Sequence, residues 1–300
     1  MSEFLYIGET AALTAAFLWG GSTLVFEHTG KKMGSFTTNL LRIMIGLILM
    51  CLVLYIQKGY IFPLQASKEQ MFWLGLSGIV GLAIGDGALY VSLVIIGPRL
   101  ATLLLSLAPP ITVVLAWIFI DEKLGSLAIA GIILTVAGII WVVNEKNLPE
   151  QISGSKIKGI LFGILAAAGQ ATGVLLVKYG FQQELDALSA TVLRMLPATL
   201  FLLIIALLRG RLVRIFRAVN NRQDALLIFF GSIIGPFLGV WLSIVAVKYT
   251  EAGVAATLLA TVPITVIPLI IIIKKFKPSP RAILGAVLAV AGVALIFLRQ

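Results

Sequence analysis

The chain has 300 residues, of which 60% are hydrophobic and 12% are charged. Soluble domains carry about 25% charged residues, so the composition excludes an ordinary soluble domain and predicts an integral membrane protein. The net charge of +10 comes from short basic clusters between apolar runs, a pattern that favours contact with a lipid bilayer over binding of nucleic acid.

Apolar runs of about 20 residues, the length that crosses a bilayer, predict ten transmembrane helices. In chain order they are 9–27, 36–56, 70–94, 98–120, 124–143, 157–178, 187–208, 225–247, 251–273 and 280–298. Their short connections predict antiparallel neighbours. A polar stretch at 144–155 separates the first five helices from the last five. We therefore expect two five-helix domains, 1–148 and 157–300, joined by a linker at 149–156.

The second half of the chain repeats the first at an offset of 152 to 154 residues, with matching segments in matching order. The matched pairs are Leu41-Arg42 with Leu193-Arg194, Gly81 with Gly235, Gly85 with Gly239, Pro110-Ile111-Thr112 with Pro263-Ile264-Thr265, Gly131 with Gly285, and Gly138 with Gly292. Because each half has an odd number of helices, the second half enters the membrane in the opposite sense. The fold expected is an all-helical inverted repeat with a substrate site near the bilayer midplane.

Lys and Arg residues in the loops predict the orientation. If the amino terminus were cytoplasmic, the cytoplasmic loops and tail would hold six of these residues and the opposite side fifteen. The six are Lys58, Lys68, Lys123, Lys178, Lys248 and Arg299. The positive-inside rule therefore favours both termini outside the cytoplasm, with the basic loop 209–222 facing in.

One segment carries a motif that runs from Ala108-Pro109-Pro110 through Asp121-Glu122-Lys123-Leu124 to Gly131 and Gly138. With the two five-helix halves and Arg42 in the second helix, it resembles the EamA family of the drug/metabolite transporter superfamily. The resemblance implies a transporter of amino acids, other small metabolites or amphiphilic drugs, with helices 1–4 and 6–9 around a central cavity and helices 5 and 10 at the side. It also implies cytoplasmic termini, in conflict with the loop charges.

Trp19 and Gln170 become candidate site residues through a further resemblance to the small multidrug-resistance proteins. Those proteins carry a coupling glutamate eight residues before a lysine in their first helix. The residue eight before Lys178 is Gln170, and the residue eight before Glu27 is Trp19, so neither position is acidic. We expect Trp19 to face the cavity by stacking and Gln170 by hydrogen bonding. An interfacial or packing role is the alternative for Trp19.

Asp86 lies well inside the third predicted helix, where an ionisable residue costs about 2.5 to 3.5 kcal/mol on insertion scales. Such a cost favours a function, either as the proton-coupling carboxylate or as a ligand for a substrate ammonium. The alternatives are a fixed salt bridge to Arg42 and the capping of a helix interruption. Tyr90 and Ser106 are polar residues of the same region, and we expect them to line the cavity too.

Arg42 and Arg194 occupy matched positions about seven residues into their helices. A guanidinium offers two parallel donors, so one or both predict a site for an anionic substrate group such as a carboxylate. The alternative is a structural role in inter-helix hydrogen bonding, which the repeat favours because such a role would be needed twice.

Pro110 and Pro263 predict paired helix interruptions in corresponding helices. Each proline removes a backbone donor and frees a carbonyl that needs another partner. Interruptions at matched positions of two halves are typical of transporter binding sites. A fixed kink without a ligand is the alternative.

The remaining motifs argue against an enzyme. The single cysteine, Cys51, and the single histidine, His28, do not supply a zinc centre, and no phosphate-binding Walker loop is present. No metal or cofactor is therefore expected. We predict a secondary transporter that moves a small organic metabolite or amphiphilic drug by alternating access, with proton coupling left open and an ion channel or passive facilitator as the alternative. We expect a multi-pass protein of a plasma or bacterial inner membrane, monomeric or, as the alternative, dimeric.

Overall fold

The computed structural model describes residues 6–121, 124–145, 153–180, 185–250, 252–275 and 278–297. These residues form α-helices and two π-helical segments, without a β-strand among them. The α-helices are α1 Ile7–Met33, α2 Ser35–Lys58, α3 Lys68–Ser77, α4 Asp86–Leu105, α5 Ala108–Ile120, α6 Ser126–Val143, α7 Lys156–Gly180, α8 Ala187–Leu208, α9 Leu212–Val219, α10 Arg222–Ser232, α11 Val240–Tyr249, α12 Ala252–Leu259, α13 Val262–Lys274 and α14 Pro280–Phe297. The π-helical segments are Gly78–Gly85, between α3 and α4, and Ile233–Gly239, between α10 and α11.

Within the described residues, 8 helical segments are long and apolar enough to cross a membrane. They are Ser35–Lys58, Lys68–Leu105, Ser126–Val143, Lys156–Gly180, Ala187–Leu208, Arg222–Ala246, Val254–Lys274 and Pro280–Phe297. The predicted span 9–27 is not among them, because Glu9, Glu27 and many small and hydroxyl residues make α1 less apolar than the other segments. The predicted span 98–120 is divided between Lys68–Leu105 and the shorter apolar helix Ala108–Ile120. The chain is therefore a multi-pass membrane protein, and the ten-span arrangement stays a prediction.

α1 extends to Met33, six residues beyond the predicted end of the first span. The predicted span ends at Glu27, which is 3% exposed. Its two carboxylate oxygens bind Lys31 Nζ at 2.7 Å and Lys274 Nζ at 2.5 Å. These ion pairs compensate the charge of the Glu27 carboxylate. The helix therefore continues past the point at which hydropathy alone predicts its end.

The chain reverses direction at Gly97, inside the gap between the predicted helices 70–94 and 98–120. Gly97 has a φ of 79° and precedes Pro98, so helical geometry is lost at this point. Both Ser92 and Leu104 lie against Gly163 of α7. Ser92 Oγ is 3.1 Å and Leu104 Cβ is 3.0 Å from the position that a Cβ on Gly163 would occupy. Residues on either side of Gly97 thus contact the same turn of α7, as in a helical hairpin.

α6 and α14 pack side by side through matched glycines. A Cβ at Gly292 would lie 2.5 Å from the backbone nitrogen of Thr135, so only glycine permits this backbone approach. Thr135 Oγ1 donates a hydrogen bond to the carbonyl oxygen of Ala289 at 3.2 Å. Part of the predicted linker, 149–152, and residues 122–123 of the sequence motif lie outside the described residues.

Candidate substrate-binding cavity

A cavity of about 290 Å³ lies where helices from the two halves of the chain meet. Of the seven residues predicted to line it, the structure brings six to its wall, and these are Trp19, Arg42, Asp86, Tyr90, Ser106 and Gln170. The seventh, Arg194, does not line the cavity. Of the two prolines predicted to interrupt helices, Pro263 lines the cavity and Pro110 does not. Pro109, the residue before Pro110, lines it instead.

Two helix breaks form part of this wall. α4 ends at Leu105 and α5 begins at Ala108, with prolines in its first turn, and α12 ends at Leu259 before α13 begins at Val262. A proline in a first turn removes a donor that has no helical partner there. Ser106 caps the end of α4 at the first break, and Ala260 occupies the second. At each break the α-helix is therefore interrupted for two residues, of which one lines the cavity.

The two π-helical segments also face the cavity, through Leu82 in the first and Gly235 in the second. A π-helix bonds i to i+5 and is frequent at functional sites. Trp19 Nε1 donates a hydrogen bond to the carbonyl oxygen of Gly235 at 3.2 Å. Asn39 Nδ2 lies 3.2 Å from the carbonyl oxygen of Leu82 and 3.1 Å from that of Ala83. Side chains of α1 and α2 thus satisfy carbonyls of the irregular segments.

Asp86 forms a buried ion pair with Arg42, in which Arg42 Nη2 donates to Asp86 Oδ2. The two residues are 6% and 7% exposed. Arg42 Nε donates to Asn39 Oδ1 at 3.2 Å, and the guanidinium carbon lies 4.9 Å from the centre of the Tyr90 ring. The structure therefore contains the salt bridge that the sequence left as the alternative for Asp86, and the two charges compensate each other.

Three polar groups in this region remain without an internal partner. Within the described part of the chain, neither the Tyr90 hydroxyl nor the Gln170 amide makes a hydrogen bond, and both residues line the cavity. Arg194 Nε is inaccessible to water and also has no hydrogen-bond partner there. Arg194 Nη2 and Gln170 Oε1 lie 3.6 and 3.7 Å from the position of a Cβ at Gly81. The ends of the Arg194 and Gln170 side chains therefore approach the same glycine, and of the two only Gln170 lines the cavity.

Comparison with known proteins identifies the family. The EamA-like transporter family matches residues 6–144 and, separately, residues 157–298. The chain belongs to the EamA-like transporter family. The family that the sequence motif resembles is thereby confirmed, and the chain is a membrane transporter.

One relative and one solved structure are also similar to this EamA-like transporter. An uncharacterized transporter from Clostridium kluyveri is 22% identical over 264 residues, which cover 87% of this chain and 82% of the relative. A solved crystal structure superposes with a TM-score of 0.64 over 96% of this chain and 95% of its own, at 16% identity. At that identity the likeness shows the fold alone.

Sequence reasoning missed the cavity-wall residues Ser22, Thr23 and Thr102 of this EamA-like transporter. A fourth missed residue is Asn39. It is fully buried and joins Arg42 to the first π-helical segment. The available signal was its position three residues before Arg42, since residues three apart share a helix face. Asparagine is uncharged, so a search for ionisable residues in apolar runs passes over it.

Proposed function

We propose that this transporter is a secondary carrier that moves a small organic metabolite or amphiphilic drug by alternating access. The observation that supports the proposal best is the cavity. Its wall combines Trp19 and Tyr90 from the first half with Gln170 and Pro236 from the second. Ligand sites are largely apolar clefts of about 300–1,000 Å³ with a few convergent polar groups, and this cavity is of that kind at the small end of the range.

We further propose that ten spans form two inverted repeats, with domains 1–148 and 157–300. Two separate matches to one family, at 6–144 and 157–298, support the division. Further support comes from three features that recur at matched positions, namely a π-helical segment, a helix break before a proline, and a glycine-lined packing face on α6 and α14. An inverted repeat places the site between the halves near the midplane, where the cavity lies in this arrangement.

Two faces of the bundle matter for alternating access. We call the end at which α1 begins the amino-terminal face, and the end that carries 209–222 the basic face. Near the basic face, the carboxyl-terminal part of α1 packs against other helices of both halves, through Gly30 with Val94 and Glu27 with Lys274. These contacts support a state in which the cavity is closed toward the basic face.

Near the amino-terminal face the apolar contacts divide into two separate clusters. Ala11 and Ala12 of α1 pack with Ala246 and Ala255. A second cluster joins α3 and α8 and consists of Ala66, Leu74, Leu185, Ala190 and Leu193. Because α1 has no extensive contact with α3, α7 or α8 among the described residues, the separation supports an opening between the clusters. Alternating access would then bring the clusters together and separate α1 from α13.

Asp86 is the proposed proton-coupling residue, because it is the one acid among the described residues that line the cavity. A proton that binds Asp86 would neutralise the carboxylate and release the guanidinium of Arg42. We also propose a plasma or bacterial inner membrane as the location, and a monomer as the working unit, with a dimer as the alternative.

Reconstituted vesicles test the carrier. Vesicles with and without the protein are incubated with the small-molecule extract of a strain that overproduces it, and the solutes taken up are identified by mass spectrometry. Saturable uptake that is stimulated by the same unlabelled solute inside the vesicle is expected, because a carrier exchanges its substrate. Electrical current without such exchange would contradict the carrier proposal and support the alternative, an ion channel or passive facilitator.

A further inference from the structure

We infer that the substrate carries an anionic group of the carboxylate class, and that this group binds between Arg194 and Gln170. The inference rests on the proposed function, since it names the substrate class of the same cavity. The inference follows from a positive charge that the structure leaves without a salt-bridge partner. It adds Arg194, which does not line the cavity, to the binding site.

The first observation is an asymmetry between matched positions. Arg42 and Arg194 correspond in the two halves, yet among the described residues only Arg42 forms a salt bridge with Asp86, whereas Arg194 feels this carboxylate only at longer range. Gly85 corresponds to Gly239, so the residue that corresponds to Asp86 is Val240. Val240 lines the cavity. The repeat thus keeps the second arginine and replaces its carboxylate with an apolar side chain, which argues against the same structural role in both halves.

The second observation is the surroundings of Arg194. Its side chain is half-buried on α8, and none of the salt bridges among the described residues includes it. Nε is shielded from water without a hydrogen-bond partner. A buried cationic donor without a partner is unfavourable and calls for an explanation. A bound anion supplies both the missing acceptor and the missing charge.

The third observation is the balance of donors and charges around the cavity. Arg42 and Asp86 compensate each other, so Arg194 leaves one positive charge. The Gln170 amide lies beside it with no internal partner in the described structure. A guanidinium matches a carboxylate with two parallel N–H donors, and an amide adds a third. Trp19, Phe26 and Tyr90 on the rest of the wall fit an apolar or aromatic body.

Paired probes of nearly equal size test the inference on the purified full-length protein. The pairs are propionate with propionamide, phenylacetate with phenylacetamide, and indole-3-acetate with indole-3-acetamide. Binding is measured by calorimetry and by thermal stabilisation in detergent. We expect at least one carboxylate to bind more tightly than its amide by about 10- to 100-fold, the range for a hydrogen bond to a charged group. If no carboxylate binds more tightly than its amide, the inference is overturned.

Variants test whether the charge that binds the carboxylate is that of Arg194. Arg194→Gln is expected to remove the preference for the carboxylate, and Gln170→Glu to remove it as well, because the new acid pairs with Arg194. Arg194→Lys keeps the charge without the forked donors and is expected to retain part of the preference, which guards against a folding defect in Arg194→Gln. Arg209→Gln is the matched control, since it removes an exposed charge from the end of the same helix. An unchanged preference in Arg194→Gln would refute the assignment.

Transport measurements distinguish a failure of this inference from a failure of the proposed carrier function. Saturable exchange of a neutral or cationic solute that Arg194→Gln leaves unchanged would overturn the anionic substrate and keep the carrier. Carboxylate binding that depends on Arg194, without saturable exchange of any solute, would overturn the carrier and keep the anion site.

Discussion

Asn39 accepts a hydrogen bond from Nε of Arg42 at 3.2 Å, one helical turn along α2. The same asparagine donates to the carbonyl oxygens of Leu82 and Ala83 in the first π-helical segment, and Arg42 in turn pairs with Asp86. One polar network therefore connects α2, the first π-helical segment and the charged wall of the cavity. Because Asn39, Arg42 and Asp86 are all buried, the loss of one partner leaves the next one unsatisfied.

Arg42→Gln is expected to destabilise the protein by about 3 to 5 kcal/mol, because it removes the salt-bridge partner of the buried carboxylate of Asp86. Replacing both residues, as Arg42→Gln with Asp86→Asn, removes both charges and is expected to restore most of the stability. Thermal unfolding in detergent at neutral pH measures the three proteins. A double variant no more stable than Arg42→Gln would show that the pair is not the origin of the loss.

Asp86→Asn is expected to abolish accumulation driven by a pH gradient while leaving counterflow, since asparagine keeps the size of the side chain without binding a proton. Uptake into vesicles with and without an imposed gradient measures both. Asp186→Asn is the matched control. This residue caps α8, where its Oδ1 accepts a hydrogen bond from the backbone nitrogen of Ser189 at 3.0 Å. Gradient-driven uptake that persists in Asp86→Asn would assign this aspartate to the structural pair alone.

Glu27→Gln is expected to favour the state open to the basic face, because it removes the charge that holds both Lys31 and Lys274. Cys51 is the single cysteine of the chain, and Ser22 lines the cavity. A Cys51→Ser background with Ser22→Cys therefore reports access to the cavity wall. We expect labelling of position 22 from the basic face by a membrane-impermeant maleimide to accelerate severalfold. Lys31→Gln, which leaves Lys274 paired, should accelerate it less. Equal labelling in all variants would exclude Glu27 from the closure.

A reporter fused after Gln300 is expected to lie on the non-cytoplasmic side. The reason is the excess of Lys and Arg on the basic face, including those of 209–222 on and around α9, which the positive-inside rule places in the cytoplasm. Paired alkaline phosphatase and green fluorescent protein fusions measure the side. Strong fluorescence without phosphatase activity would establish the cytoplasmic termini that the family resemblance implies.

Gly292→Ala is expected to lower stability by about 1 to 3 kcal/mol, the usual range for overpacking. The added Cβ meets backbone of α6, which cannot rotate away as a side chain can, and the hydrogen bond from Thr135 to Ala289 would lengthen. Gly21→Ala is the control, because its Cβ would meet only the tip of Leu269, at 3.9 Å. Thermal unfolding in detergent compares the two. Equal stability would show that α6 and α14 separate at no cost.

The sequence by itself determined the class of the protein and the position of most of its helices. Apolar runs long enough to cross a bilayer must form helices there, because the backbone has no other partner in lipid. Polar residues inside apolar runs, together with the resemblance that singled out Trp19 and Gln170, also led to six residues of the cavity wall, since a polar group inside a membrane helix needs a partner or a cavity.

Only the tertiary structure decided which of these groups compensate one another. Asp86 and Arg42 are 44 residues apart in the chain and pair because α2 and the third span bring their buried faces together. Helix rotation and separations of a few ångströms likewise decide the π-helical segments and the role of Asn39. They also decide that Nε of Arg194 has no hydrogen-bond partner among the described residues. Hydropathy and spacing report the depth of a residue in the membrane, whereas its partner is set by packing between helices distant in sequence.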